Sequence, residues 1–412
     1  MTRLVRARCW AAVAAAAMAC VPATAAAQSR PRGAPRISAP AAILVEAATG
    51  DVVYARRPGA RRPLASTTKL MTALVAVERL KLDDVIAAAN YRPAPIESQL
   101  GQRPGERFTV RDQLRALLLV SGNDAAVTLA VRAAGSRRRF VRLMNARARA
   151  LGLRDTRFEN PVGLDAPGHF SSPADLAKLA LVARADPFLR ETMDRARITL
   201  RSGDRPRTIV NRNTLLRSQP FVNGVKTGRT SQAGYVLIGS ATRAGVSVVA
   251  VVMGAPTEAA RNADTLALLR HGLRRYRRTT VVDEGAVLGR AGLTFRDETV
   301  PLVAARGVRR TARRGEELPV KVVGAPAELE GPLPAGAQVG EVEVRQRGAV
   351  VARVPLITGA AIDAPTTLEQ VTDVVERQRT PLTVALLGVG SLLVVLLRGR
   401  ATRRRRVRTR ET

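Results

Sequence analysis

Ser66-Thr67-Thr68-Lys69-Leu70-Met71-Thr72-Ala73-Leu74-Val75-Ala76-Val77 is the stretch on which the reading turns. Leu70, Leu74, Val75 and Val77 give it a strongly amphipathic helical pattern, so a helix starts at or near Ser66 and carries Lys69 one turn later on the same face. A serine hydroxyl is a poor nucleophile until a base takes its proton, and a lysine amine can do so only if burial or a neighbouring cation lowers its pKa. Arginine cannot serve, because its guanidinium stays protonated in proteins. The chain has 412 residues with 67 Lys plus Arg, and only five of these are Lys. Each lysine is therefore informative where an arginine is not. Taken alone, the pair also reads as a helix cap at Ser66 beside a solvated Lys69.

Two further triplets lie downstream. Ser121-Gly122-Asn123 ends the apolar run 114–120, and a second helix starts at Asp124. Lys226-Thr227-Gly228 opens a strand-like segment ahead of Tyr235. A glycine there lets a ligand lie along the strand, while the lysine and threonine offer a charge and a hydroxyl to an anion. Each triplet by itself is an ordinary cap or turn. Around them, 41–46 with 51–56 and 235–241 with 246–252 read as hairpins, and 67–190 as mostly helical. From 279 to 363 the pattern changes to short Val-rich segments cut by Gly and Pro, with 338–345 pairing 349–356, which is a small all-β domain.

The ends differ again. Arg3, Arg6 and Arg8 precede the apolar run 9–21 and the small residues 23–27, the pattern of a signal peptide over 1–27, with a retained anchor helix as the alternative. Both cysteines, Cys9 and Cys20, fall inside it. The rest of the chain is thereby without disulfide or thiol chemistry, and the exported protein must be stabilised by burial. Residues 28–39 form a Pro-, Arg- and Gly-containing linker. Near the other end, 382–397 is uncharged for sixteen residues, about 24 Å as a helix, and Arg398 can snorkel to extend it. The arginines at 400, 403–406, 408 and 410 follow directly, which marks the cytoplasmic side. The expected plan is a domain at 40–278, a β domain at 279–363, a linker at 364–381, a transmembrane helix at 382–398 and a basic tail at 399–412. Of the net charge of +33, +24 remains once the signal and the tail are set aside, enough to draw an exported body to anionic lipid or wall polymers. Nucleic acid is excluded as a partner by that location, and 3% aromatics leave little for base stacking.

Together the three triplets, in this order and about 55 and 105 residues apart, resemble the penicillin-recognising serine enzymes, whose signature set is Ser-x-x-Lys, Ser-x-Asn and Lys-Thr-Gly. Asn160-Pro161-Val162-Gly163-Leu164-Asp165, His169, Ser171-Ser172-Pro173-Ala174-Asp175, Asn211-Arg212-Asn213 and Ala233-Gly234-Tyr235 narrow the likeness. They resemble the low-molecular-mass penicillin-binding proteins of the D-alanyl-D-alanine carboxypeptidase type over roughly residues 39–278.

That resemblance implies an α+β fold, a β-lactamase/transpeptidase-like domain with an antiparallel sheet flanked by helices. The small all-β domain and a C-terminal anchor also fit the family's layout, although the transmembrane helix expected at 382–398 departs from the amphipathic surface helix common among members. It implies that Ser66 attacks the carbonyl between the two D-alanines of a peptidoglycan stem peptide, with neutral Lys69 as its base. Ser121 passes the proton to the departing D-alanine, oriented by Lys226, whose charge helps keep Lys69 neutral. Asn123 bonds Lys69 or the substrate amide. The backbone of Ser66 and Arg229 forms the oxyanion hole, and Gly228 keeps the strand open. Thr227, Thr230, Arg212 and Arg261 bind the terminal carboxylate. β-Lactams are implied as inhibitors, and no cofactor or metal is called for. His169 and His271 have no Cys or carboxylate at ligand spacing. A β-lactamase-like hydrolase is the enzymatic alternative, but it needs a carboxylate for deacylation, and Glu159 and Glu191 are the only glutamates between Ser121 and Lys226. A non-catalytic wall-binding protein on the same fold is the other.

Overall fold

The computed structural model describes residues 33–372, 388–390 and 392–393. The expected signal peptide at 1–27 and the tail at 399–412 lie outside the described residues, as does most of the segment 382–398. No helix among the described residues is long and apolar enough to cross a membrane.

The first domain is built on a five-stranded antiparallel sheet. Its order is Val52–Arg56, Ala41–Glu46, Val246–Ala255, Gly234–Arg243 and Val222–Thr230. The run Val248 to Met253 is buried without alternation, as a central strand covered on both faces requires. On one face the helix Glu258–Arg275 comes in close at two glycines. A Cβ on Gly272 would lie 3.0 Å from Val248 Cγ1, and one on Gly239 would lie 2.6 Å from Thr265 Cγ2. The other face meets the helix Pro173–Ala185, behind which pack Lys69–Val77, Val110–Leu119, Asn123–Ala134 and Arg137–Ala150 in one apolar core. Leu70, Leu74, Leu114, Leu117 and Leu129 are buried in it, each worth roughly 1.5–3 kcal/mol of transfer free energy.

The expected antiparallel sheet flanked by helices is what the chain adopts, and both expected hairpins form. The helical stretch 67–190 is interrupted by the ribbon Val85–Ala87 with Arg107–Thr109, too short for periodicity to reveal. The Lys226 triplet sits in the middle of its strand, not at the start. Gly224 at φ +114 and the register shift between Val222 and Val225 break the alternation that would have announced the strand's beginning.

The second domain is all-β, with a six-stranded sheet and a two-stranded ribbon of Tyr276–Val282 with Val308–Arg313. The expected break at 278 falls inside that first strand. Asp51 ties the two domains together. Asp51, in the first hairpin turn, accepts from Arg347 Nη1 at 2.5 Å and Nη2 at 2.7 Å, from Arg313 Nε at 3.1 Å and from Tyr276 Oη at 2.7 Å. The Arg347 bonds, chiefly, hold its carboxyl well below the usual carboxylate range.

Candidate active site

Ser66 lies in a 3₁₀ turn, Ala65–Thr68, that runs directly into the helix Lys69–Val77. It does not cap that helix, because no side-chain cap bond is made there. The turn starts from Ala65 at φ +49, a left-handed conformation that costs a non-glycine residue energy and persists only when its surroundings hold it. Three contacts do so. Thr67 Oγ1 donates to Leu64 O at 2.5 Å. Thr68 Oγ1 donates to Ala65 O at 2.8 Å and lies 2.9 Å from His169 Nε2. His169 Nδ1 accepts from Glu159 N at 2.9 Å, so the ring hydrogen sits on Nε2 and points at Thr68. Burial pushes His169 down to about 4, so it stays neutral at physiological pH and acts as a brace for the turn.

The loop at Asn160 closes over the same turn. Asn160 Oδ1 accepts from Gly163 N at 2.7 Å and from Val162 N and Leu164 N at 3.2 Å. Thr72 Oγ1 donates to Pro161 O at 2.7 Å. Gly163, at φ +90, lies so close that a Cβ there would be 2.0 Å from Ala65 O and 2.9 Å from Ser66 N. From the opposite side, a Cβ on Gly228 would meet Ala65 Cβ and Ser66 N, each at 3.0 Å. The edge strand and the Ser66 turn therefore touch backbone to backbone, and no residue with a side chain fits at 228 without displacement.

Lys69 is fully buried. Its Nζ lies 3.0 Å from Ser66 Oγ, 2.5 Å from Asn123 Oδ1 and 2.6 Å from Val162 O. A neutral amine has two N–H groups and one lone pair. The amide and carbonyl oxygens can only accept, so they take the two hydrogens and leave the lone pair facing the serine hydroxyl. Burial pushes Lys69 down to about 7, against the Glu97 and Asp124 carboxylates and with help from Arg212. The cation expected to keep Lys69 neutral was Lys226. Burial is the main cause instead, and Lys226 is itself pushed well down by burial and by the charges of Lys69, Arg212 and Arg261.

Ser121, at φ +63, is buried, and among the described residues its Oγ has no hydrogen-bond partner. A non-glycine residue held at positive φ is in a strained conformation that its surroundings must fix. Lys226 Nζ donates to Thr227 O at 3.0 Å, so the expected contact from Lys226 to Ser121 is not made. The carboxylate-binding candidates separate. Thr227 lies buried on the strand, whereas Thr230 Oγ1 donates to Asp165 Oδ1 at 2.7 Å. Arg229 is exposed and its guanidinium stacks on Tyr235 at 5.2 Å. Arg212 is exposed, and its charge bears on both lysines. Arg261 is buried and bonded to Glu258 and Asn262, which ties it into its own helix. Glu159 and Glu191 are paired with Arg157 and Arg195. Glu97, which the sequence reading missed, is a carboxylate that reaches the site, bonded by Asn123 Nδ2 at 2.5 Å. Among the described residues no His, Cys, Asp and Glu cluster could hold a metal.

Residues 25–257 match the family D-alanyl-D-alanine carboxypeptidase, and residues 276–364 match the C-terminal domain of penicillin-binding protein 5. D-alanyl-D-alanine carboxypeptidase DacF of Bacillus subtilis is 30% identical over 327 residues, covering 77% of this chain and 84% of the relative. DacD of Salmonella typhimurium is 35% identical over 340 residues, 79% of this chain and 86% of the relative. Penicillin-binding protein 6B of Escherichia coli superposes with a TM-score of 0.59 at 32% identity, over 80% of this chain and 97% of that one.

Proposed function

Because the chain belongs to the D-alanyl-D-alanine carboxypeptidase family, and is thereby a serine-type hydrolase of the penicillin-binding proteins acting in cell-wall metabolism, we propose that Ser66 is its nucleophile, Lys69 its base and Ser121 its proton carrier. The observation that carries this reading is the geometry at Lys69 Nζ. Two fixed acceptors and a serine hydroxyl at 3.0 Å describe a buried amine ready to take a proton.

In the first step Lys69 takes the Ser66 proton and Oγ adds to the carbonyl between the two D-alanines. The oxyanion is stabilised by backbone N–H groups of Ser66 and Arg229, each donor typically worth a few kcal/mol. Ser121 hands the proton to the leaving D-alanine nitrogen as the peptide bond breaks, and water then cleaves the Ser66 ester. Thr227, Lys226 and Arg212 receive the terminal carboxylate. Its negative charge offsets the mutual repulsion of these cations, so substrate binding restores the charge that burial suppresses on Lys226. Penicillins enter as acylating inhibitors of the same serine.

The test is release of D-alanine from a peptide ending in D-Ala-D-Ala. The rate should rise with pH through the pKa of Lys69, about 7, because the base works only when neutral. A rate that falls across that range would contradict the proposal.

We further propose that residues 1–27 export the chain and that 382–398 anchor it, with the tail at 399–412 in the cytoplasm. Support comes from the sixteen uncharged residues followed by seven tail arginines. Deleting 382–412 is expected to release soluble active enzyme. Digestion of a C-terminal tag from outside spheroplasts, or retention of the truncated protein on membranes through a high-salt wash, would refute the single-span topology.

A further inference from the structure

A line of hydrogen bonds runs from Lys69 through Asn123 to Glu97. Lys69 Nζ donates to Asn123 Oδ1 at 2.5 Å, and Asn123 Nδ2 donates to Glu97 Oε2, also at 2.5 Å. The same carboxylate oxygen accepts from Tyr91 Oη at 2.7 Å, and Glu97 Oε1 accepts from Ala94 N at 3.1 Å. The loop bearing Glu97 is fastened to the start of the helix Asn123–Ala134. Asn123 N donates to Ser98 O at 2.7 Å, and the Asp124 carboxylate accepts from Leu100 N at 3.0 Å and Gly101 N at 2.9 Å. A primary amide has an acceptor at one end and donors at the other. Flipped, Asn123 would set its NH₂ against the lysine N–H groups and its oxygen against the carboxylate, leaving both contacts mismatched.

We propose that Glu97, supported by Tyr91, is a positioning residue of this active site: it locks the Asn123 amide with Oδ1 toward Lys69 and supplies the carboxylate that faces the ammonium form of that lysine. This rests on the assignment of Ser66 and Lys69 as nucleophile and base. The charged groups bearing on Lys69 are Glu97 and Asp124, which favour its ammonium, and Arg212, which opposes it; Lys226 is coupled to the same lysine. Tyr91 also carries the Arg137 guanidinium at 6.0 Å from its ring. Burial would raise the Glu97 carboxyl, but the bonds from Asn123, Tyr91 and Ala94 outweigh it and hold the group below the ordinary value, hence ionised. Acylation needs neutral Lys69, so its rate climbs with pH. Removing the Glu97 charge takes away a partner of the ammonium, and the climb must shift to lower pH.

The experiment measures acylation of the full-length protein by a fluorescent penicillin from about pH 5 to pH 9, spanning the expected titration. In Glu97→Gln the midpoint should move down by on the order of one unit, while the plateau falls by roughly tenfold or less because Gln still offers an oxygen to Asn123 and Tyr91. Glu97→Ser, smaller and also neutral, should move the midpoint the same way and lower the plateau further. Tyr91→Phe keeps the charge, so its midpoint should stay at the wild-type value with a plateau a few-fold lower. A role confined to loop folding would reduce the labelled fraction and leave every midpoint in place; that result, or a shift to higher pH, overturns the proposal. Mapping the wild-type adduct separates the two levels of argument. An adduct away from Ser66 removes the underlying assignment and this inference with it, whereas a Ser66 adduct with unmoved midpoints removes this inference alone.

Discussion

Replacing Lys69 by Arg is expected to cut the rate of Ser66 acylation by a factor of about 10² to 10⁴, the usual contribution of a positioned general base. Length is nearly kept and the charge is that of the ammonium form, but a guanidinium cannot accept the proton, and its five donors have no lone pair to turn toward Ser66 Oγ. The same substitution also puts a larger group into a fully buried position bounded by Asn123 Oδ1 and Val162 O. Thermal unfolding of the variant must therefore be measured beside acylation. A cooperative transition with acylation near zero supports the base role. A variant that folds and labels at near the wild-type rate would end it, and Lys69→Met, which removes the amine without enlarging the side chain, must fail in the same way.

The second large effect is expected at Gly163. Its Cβ in a Gly163→Ala variant would lie 2.0 Å from Ala65 O, a separation no relaxation of a flexible side chain can relieve, because the neighbour is backbone. Overpacking and the left-handed φ each cost about 1–3 kcal/mol, so a loss of roughly 3 kcal/mol or more in stability is expected. Acylation should fall by more than the loss of folded protein, since the displaced loop also carries Val162 O, one of the two acceptors on Lys69. Gly168→Ala is the control: φ is +80 there too, but the nearest atom is the end of the Glu159 side chain at 3.2 Å. Chemical denaturation and penicillin labelling of both variants decide the matter. Equal losses at 163 and 168 would mean that φ alone, and not contact with the Ser66 turn, determines the effect.

What could be read in advance was what is local in the chain. Ser66 and Lys69 are three residues apart, and the helix that joins them announces itself through Leu70 and Leu74. The hairpins of the central sheet are continuous apolar runs separated by turns. What could not be read depends on contacts between distant segments. Glu97 lies in an irregular loop without periodicity and reaches Asn123 across 26 positions. Gly163 was visible as part of a motif, yet its reason is the backbone of Ala65 on another segment. His169 was set aside as a ligand because no ligand partners stood near it, and only its contact with Thr68 shows what it does. Arg212 and Arg261 could not be ranked in a chain with 62 arginines. Burial and the pairing with Glu258 separate them, and no sequence pattern encodes that difference.

On this account Ser66 Oγ is the atom that becomes acylated. The direct measurement is peptide mapping by mass spectrometry after brief treatment of the wild-type protein with a labelled penicillin. The mass increment should fall on the peptide containing Ser66 at one equivalent per chain, and Ser66→Ala should show none. An adduct on Ser121 or on any other residue, or undiminished labelling of Ser66→Ala, would contradict the account.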